Sequence, residues 1–132
     1  MGAPGQITVR SKFSAKDTLD RLEAEIKARG IEVFARIDHA AGATAVGLPL
    51  RPTTVLIFGN AKAGTPLMQA EQAAGIDLPL KALVYEDASG AVWLAYNDPH
   101  WIAQRHGLGV SVAANVEGLA KVLETLAAKA TA

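Results

Sequence analysis

From Ile7 to Lys12 apolar and polar residues alternate, the period of a strand with one face against a core. Ser14 followed by Asp17 gives a helix start resembling a capping box, and Leu19, Leu22 and Ile26 then form one apolar stripe that stops at Gly30. Asp17 with Arg21 and Glu23 with Lys27 stand at i,i+4 on that helix. Alternation resumes over Ile31 to Ile37, predicting a second strand with Ile31, Val33, Ala35 and Ile37 on one face and Asp38 as the cap of the next element. The small apolar stretch Ala40 to Gly47 predicts a short helix.

Thr53 to Phe58 is a continuous β-branched and apolar run, which predicts a strand covered on both faces in the middle of a sheet. Thr65 as N-cap with Pro66 at the first helical position predicts a helix to Ala74, closed by Gly75. Leu80 to Glu86 and Ala91 to Tyr96 flank the turn Asp87-Ala88-Ser89-Gly90 and predict a hairpin. Asp98-Pro99 opens a helix ending near His106 and Gly107, and Asn115 opens a last one carrying Leu119, Val122, Leu123 and Leu126. The order is β-α-β-(α)-β-α-β-β-α-α. With its hairpin it predicts an α+β fold with about five strands in a mainly antiparallel or mixed sheet and helices packed on it.

At 132 residues, half of them apolar, the chain fits a single domain over 1–132, with residues 1–6 and 129–132 expected to fray. Thirteen basic residues balance thirteen acidic ones, so the electrostatic footprint of a nucleic-acid binder is missing, while one small anion stays within reach. With no cysteine there is no disulfide, thiolate metal site or thiol nucleophile. The start lacks the apolar core of a signal peptide and no run is long enough to span a membrane, which predicts a cytoplasmic protein without a membrane partner.

Three junctions where an apolar run meets a cap carry the candidate chemistry. Gly59-Asn60-Ala61-Lys62-Ala63-Gly64-Thr65-Pro66 joins a strand to a helix N-terminus, where free amides favour an anion, yet it has neither the P-loop ending nor the dinucleotide-binding glycine spacing. His39 follows a strand and a cap, a position suited to an acid or base, with Asp38 beside it. In Tyr96-Asn97-Asp98-Pro99-His100-Trp101 and on to Arg105-His106-Gly107, helix punctuation accounts for Asp98, Pro99, His106 and Gly107, leaving Asn97 and Arg105. The spacing of His39, His100 and His106 puts no two on one helix face as a metal pair, so no metal and no cofactor are expected. No Gly-x-Ser-x-Gly elbow is present for a serine hydrolase.

The phrases Arg36-Ile37-Asp38-His39-Ala40-Ala41-Gly42-Ala43, Leu56-Ile57-Phe58-Gly59-Asn60, Gly64-Thr65-Pro66-Leu67-Met68, Asp77-Leu78-Pro79-Leu80-Lys81 and Tyr96-Asn97-Asp98-Pro99 together resemble the DUF302 family, from about Ile7 to Leu108. The resemblance implies a compact α+β fold of the TT1751-like kind, a dimer, and no assigned reaction or catalytic residue. One departure is Ala61, where the family often has proline after Phe-Gly-Asn.

The leading expectation is a small-ligand or anion-binding domain that gathers Asp38, His39, Asn60, Gly64, Thr65, Asn97 and Arg105 around one polar pocket at the strand ends. Two alternatives stand beside it. One is a small enzyme using His39 as general acid or base, tuned by Asp38 or Asp98, on a polar or phosphorylated metabolite. The other is a homodimeric interaction module with Trp93, Trp101 or the last helix as its seam.

Overall fold

A computed structural model describes residues 3–132. The elements run β1 (Gln6–Ser11), α1 (Ala15–Ala28), β2 (Glu32–Asp38), α2 (His39–Ala45), β3 (Thr53–Gly59), α3 (Ala61–Ala70), a 3₁₀ segment (Gln72–Asp77), β4 (Leu80–Glu86), β5 (Val92–Asn97), α4 (Pro99–Arg105), a 3₁₀ turn (Val110–Val112) and α5 (Ala113–Thr131). The strands form one sheet in the order β1-β5-β4-β3-β2, and every neighbouring pair is antiparallel. The α+β class and the element order are those the sequence predicts. β4 is the middle of the sheet rather than β3, because β1 adds to the far side of the hairpin through β5 and shifts the centre by one strand.

One face of the sheet carries the core. Leu56 and Phe58 of β3, Leu80, Ala82 and Val84 of β4, and Val92, Leu94 and Tyr96 of β5 are buried against Leu19, Leu22 and Ile26 of α1 and Leu119, Leu123 and Leu126 of α5. Each fully buried large side chain in this layer contributes about 1.5–3 kcal/mol relative to exposure. Ser14 caps α1 by accepting from the Asp17 amide at 3.1 Å. Glu23 pairs with Lys27 as expected, but Asp20 takes Lys16, and Arg21 reaches the C-terminal carbonyls of Lys129 and Ala132 instead of Asp17. The chain's end is therefore held: Ala130 and Thr131 are buried, and the Lys12 amide donates to the Thr131 carbonyl at 2.9 Å. Of the N-terminal residues expected to fray, 1–2 lie outside the described residues and Gln6 already pairs with Asn97.

The other face is different. Val55 and Ile57 of β3 are only half-buried, as are Lys81, Leu83 and Tyr85 of β4 and Trp93 of β5, and Ile37 of β2 is 43% exposed. Burial along β3 alternates, so its continuous apolar run does not mark a strand sealed on both sides. Strand β2 departs too, through a bulge between Val33 and Ala35 that makes Phe34 an extra residue. The bulge shifts the face by one residue: Val33 pairs with Phe58 on the core side, whereas Ala35 and Ile37 pair with Ile57 and Val55 on the open side.

Two helix starts differ from the sequence pattern. Asn60, not Thr65, caps α3, its Oδ1 accepting from the Ala63 amide at 2.8 Å, and Pro66 falls inside the helix at the cost of one backbone bond. An Asn directly after the strand offers a cap one turn earlier than the Thr-Pro pair, and the helix takes it. α3 also ends early, at Ala70, where Glu71 caps the 3₁₀ segment. α5 starts at Ala113 with no side-chain cap, ahead of Asn115.

Candidate functional site

The seven candidate residues do not share one pocket. Asn60, Gly64 and Thr65 line a cleft of about 380 Å³ on the helix side, while His39 and Asn97 line a separate hollow of about 360 Å³ that includes Val55, Ile57 and Leu83 of the open sheet face. Asp38 and Arg105 line neither. The common pocket fails because Asn60, at the end of β3, opens on the helix side, whereas His39 and Asn97 open on the other face.

The helix-side cleft is built by the bulge and by two helices. Phe34 and Ile31 form one wall, Ala63, Gly64 and Met68 of α3 another, Leu119 and Val122 of α5 a third, and Leu78-Pro79 completes it. Phe34 remains 49% exposed at its edge. Polar groups are few. The Asn60 oxygen is engaged by Ala63, and the amides of Ala61 and Lys62 in the first turn of α3 have no intrahelical partner by position.

In the open-face hollow, Gln6 pairs with Asn97 in register, Ile57 with Lys81, and Ala82 with Tyr96, so Asn97 and Lys81 stand opposite one another across β5 and β4. His39 enters from the first position of α2. Among the described residues, the side chains of Gln6, His39, Lys81 and Asn97 make no hydrogen bond or ion pair. Asp38 does not orient His39, since its carboxylate accepts from the Ala41 amide at 2.9 Å as the cap of α2. Nor does Asp98, which caps α4 through the His100 amide at 2.9 Å.

Arg105 belongs to a third cluster. Its Nη1 donates to both oxygens of Asp77 at 3.0 and 2.9 Å, and His106 Nε2 lies 2.6 Å from Asp77 Oδ2, which ties α4 to the 3₁₀ segment. His106 is 10% exposed and Asp77 13%. Nearby, His100 lies between Asp98 (3.0 Å) and Glu117 (2.8 Å), and its pKa is raised by hydrogen bonding to Glu117 first and Asp98 second. In the hairpin turn Asp87 accepts from Ser89, from the Ala91 amide and from Trp93 Nε1 at 2.8 Å, and its pKa falls to about 2, chiefly through Ser89 and Trp93. Trp93 is thus tied to its own turn, Trp101 lies against Gly5 and Arg105, and the leucines of α5 are core. Of the elements expected to form a dimer seam, Trp93 stays half-buried on the open face and Val122 of α5 lines the helix-side cleft.

Residues 7–126 match the family described as Domain of unknown function DUF302. The chain belongs to the DUF302 family. A crystal structure of an uncharacterized conserved DUF302 protein from Bacillus stearothermophilus superposes with a TM-score of 0.84 at 19% identity, covering 97% of this chain and 99% of that one, and shows the shared fold. Two curated relatives are named Fluoride-specific ion channel FluC 1, from Brucella suis biovar 1 and Brucella abortus biovar 1. Each is 52% identical over 107 residues, or 81% of this chain. The match spans only 42% and 40% of those proteins' lengths. Among the described residues no helix is long and apolar enough to cross a membrane.

Lys81, Gln6 and Phe34 are not among the residues that the sequence singles out. Lys81 falls in a strand-like run and Gln6 just ahead of the first strand, among residues expected to fray, and only strand register brings them to Asn97. Phe34 reads as an outward position until the bulge is known.

Proposed function

We propose that this chain is a small-ligand-binding domain whose ligand has an apolar body seated in the helix-side cleft and a polar end at the first turn of α3. The cleft itself carries this reading: about 380 Å³ of space walled by Ile31, Phe34, Met68, Leu78, Leu119 and Val122, within the size of small-molecule sites. Asn60, Gly64 and Thr65 sit at its polar rim, and the helix N-terminus with Lys62 close by suits a carboxylate or phosphate end. The test is calorimetry with octanoate and octanol on the wild type and on Val122→Trp, which fills the cleft. Binding of octanoate, weaker binding of octanol and loss of both in Val122→Trp support the reading. Equal binding in Val122→Trp contradicts it.

An interaction role is a second reading, favoured by the α2 segment. α2 buries none of its residues, and Val46, Leu48 and Leu50 after it are 71%, 62% and 48% exposed. We infer that this apolar strip seats a second copy of the chain. We take the dimer to be cytoplasmic and, by analogy with the FluC relatives, in which a segment like this one is part of a longer protein, to act beside a fluoride-specific ion channel. Light scattering at micromolar concentration gives a dimer for the wild type and a monomer for Leu48→Glu. A monomeric wild type contradicts the dimer.

The enzyme alternative with His39 finds less support. The carboxylates proposed to tune His39 are both engaged as helix caps.

A further inference from the structure

The polar side chains that line the open-face hollow, Gln6, His39, Lys81 and Asn97, are uncommitted. The carboxylates of Asp20, Asp77, Asp87 and Asp98 all have partners, and Arg36 and Arg105 are paired. Lys81 is half-buried on an apolar floor made by Val55, Ile57, Leu83 and Ala95, with no carboxylate in the hollow to balance it. Its stem can lie on that floor while the ammonium stays at the rim, a cation with no carboxylate beside it that an anion could pair. Two carboxamides, Gln6 and Asn97, and the His39 imidazole surround it and supply further hydrogen-bonding groups.

Beyond the hollow this face carries Arg10 on β1 and, by register, Glu32 on the edge strand β2. Arg10, in the row beyond, lies 5.7 Å from the Trp93 ring, and the acid at that end, Asp87, is already engaged by the turn and by Trp93. With no carboxylate among the residues that line the hollow, charge complementarity there selects an anion. One fixed positive charge among neutral donors matches a monoanion better than a phosphate dianion. The floor, four apolar side chains in adjacent strands, takes a compact apolar group.

The geometry points to a second binding site on the open sheet face, taking a small carboxylate whose charged end is held by Lys81, Asn97, Gln6 and His39 and whose apolar body lies on Val55, Ile57, Leu83 and Ala95. It stands apart from the helix-side cleft, and neither reading depends on the other.

The experiment is amide-resonance mapping of the full chain titrated with benzoate, with neutral benzamide as the control of equal shape. Benzoate is expected to shift the resonances of Lys81, Leu83, Ala95 and Asn97, and benzamide to bind at least about tenfold more weakly, the scale of one charge-assisted hydrogen bond. Lys81→Met lowers benzoate affinity by about tenfold or more, and Lys81→Arg retains most of it. If Lys81→Met does not fold, Asn97→Leu and the wild-type comparison of benzoate with benzamide decide the question. Equal binding of benzoate and benzamide, shifts confined to Gly59, Gly64, Leu119 and Val122, or no shift at millimolar benzoate would each overturn the site.

Discussion

The two faces of one sheet have been given opposite work. On the helix side, alternate strand residues lock into α1 and α5, and Leu56, Phe58, Leu22 and Ile26 are fully excluded from water. On the open side, side chains of the same kinds, Val55, Ile57 and Leu83, stay half-exposed, and a lysine and two carboxamides stand among them without partners. Stability is concentrated in the first face, which leaves the second free to carry groups that folding does not use. The helix-side cleft lies where the covered face is incomplete, at the β2 bulge.

The contrast is broken or sharpened most strongly by paired truncations. Leu56→Ala removes a side chain with 0% exposure and is expected to cost about 3 kcal/mol, against about 1 kcal/mol for Leu83→Ala on the open face, both by denaturant unfolding. Equal losses would mean that the open face is covered in solution. Gly5→Ala comes next. At φ 76 and with the Trp101 ring where a Cβ would stand, it is expected to cost about 2 kcal/mol of thermal stability, although it touches neither hollow.

Smaller effects come from titration. Asp87 holds its proton less tightly folded than unfolded, so the stability it contributes is complete above its ordinary value of 3.8 and is lost as pH falls through about 2. Trp93 fluorescence should therefore report an acid transition of the hairpin near pH 2, and Asp87→Asn should abolish it. His100 titrates the other way. Its raised pKa means that the contribution is complete below 6.5 and disappears as pH rises through the folded value. With half of its side chain exposed the effect on stability is slight, and imidazole resonances in Glu117→Gln should show the midpoint moving back down.

Much of the fold was legible because local rules and global packing agree. Ser14, Asp38 and Asp98 cap the helices they precede, Gly30 and Gly107 take positive φ after helices, and the hairpin forms where its turn residues stand. Where two local signals compete, as Asn60 and Thr65-Pro66 do for the start of α3, the pattern does not rank them. The bulge at Phe34 leaves no mark in an alternation that continues through it, yet it decides which residues of β2 face the core. The site was legible only in pieces. His39 and Asn97 do share a hollow, but Lys81 and Gln6 join them through pairing of distant strands, and Arg105 is drawn off by Asp77, 28 residues away in sequence.

The central claim is that the helix-side cleft binds a ligand with an apolar body. Amide-resonance mapping with octanol, which has that body and no charge, tests it most directly. The prediction is saturable shifts at Phe34, Gly59, Gly64, Leu119 and Val122 that leave Lys81, Leu83 and Ala95 in place. Shifts centred on the open face, or none up to the solubility of octanol, would contradict it.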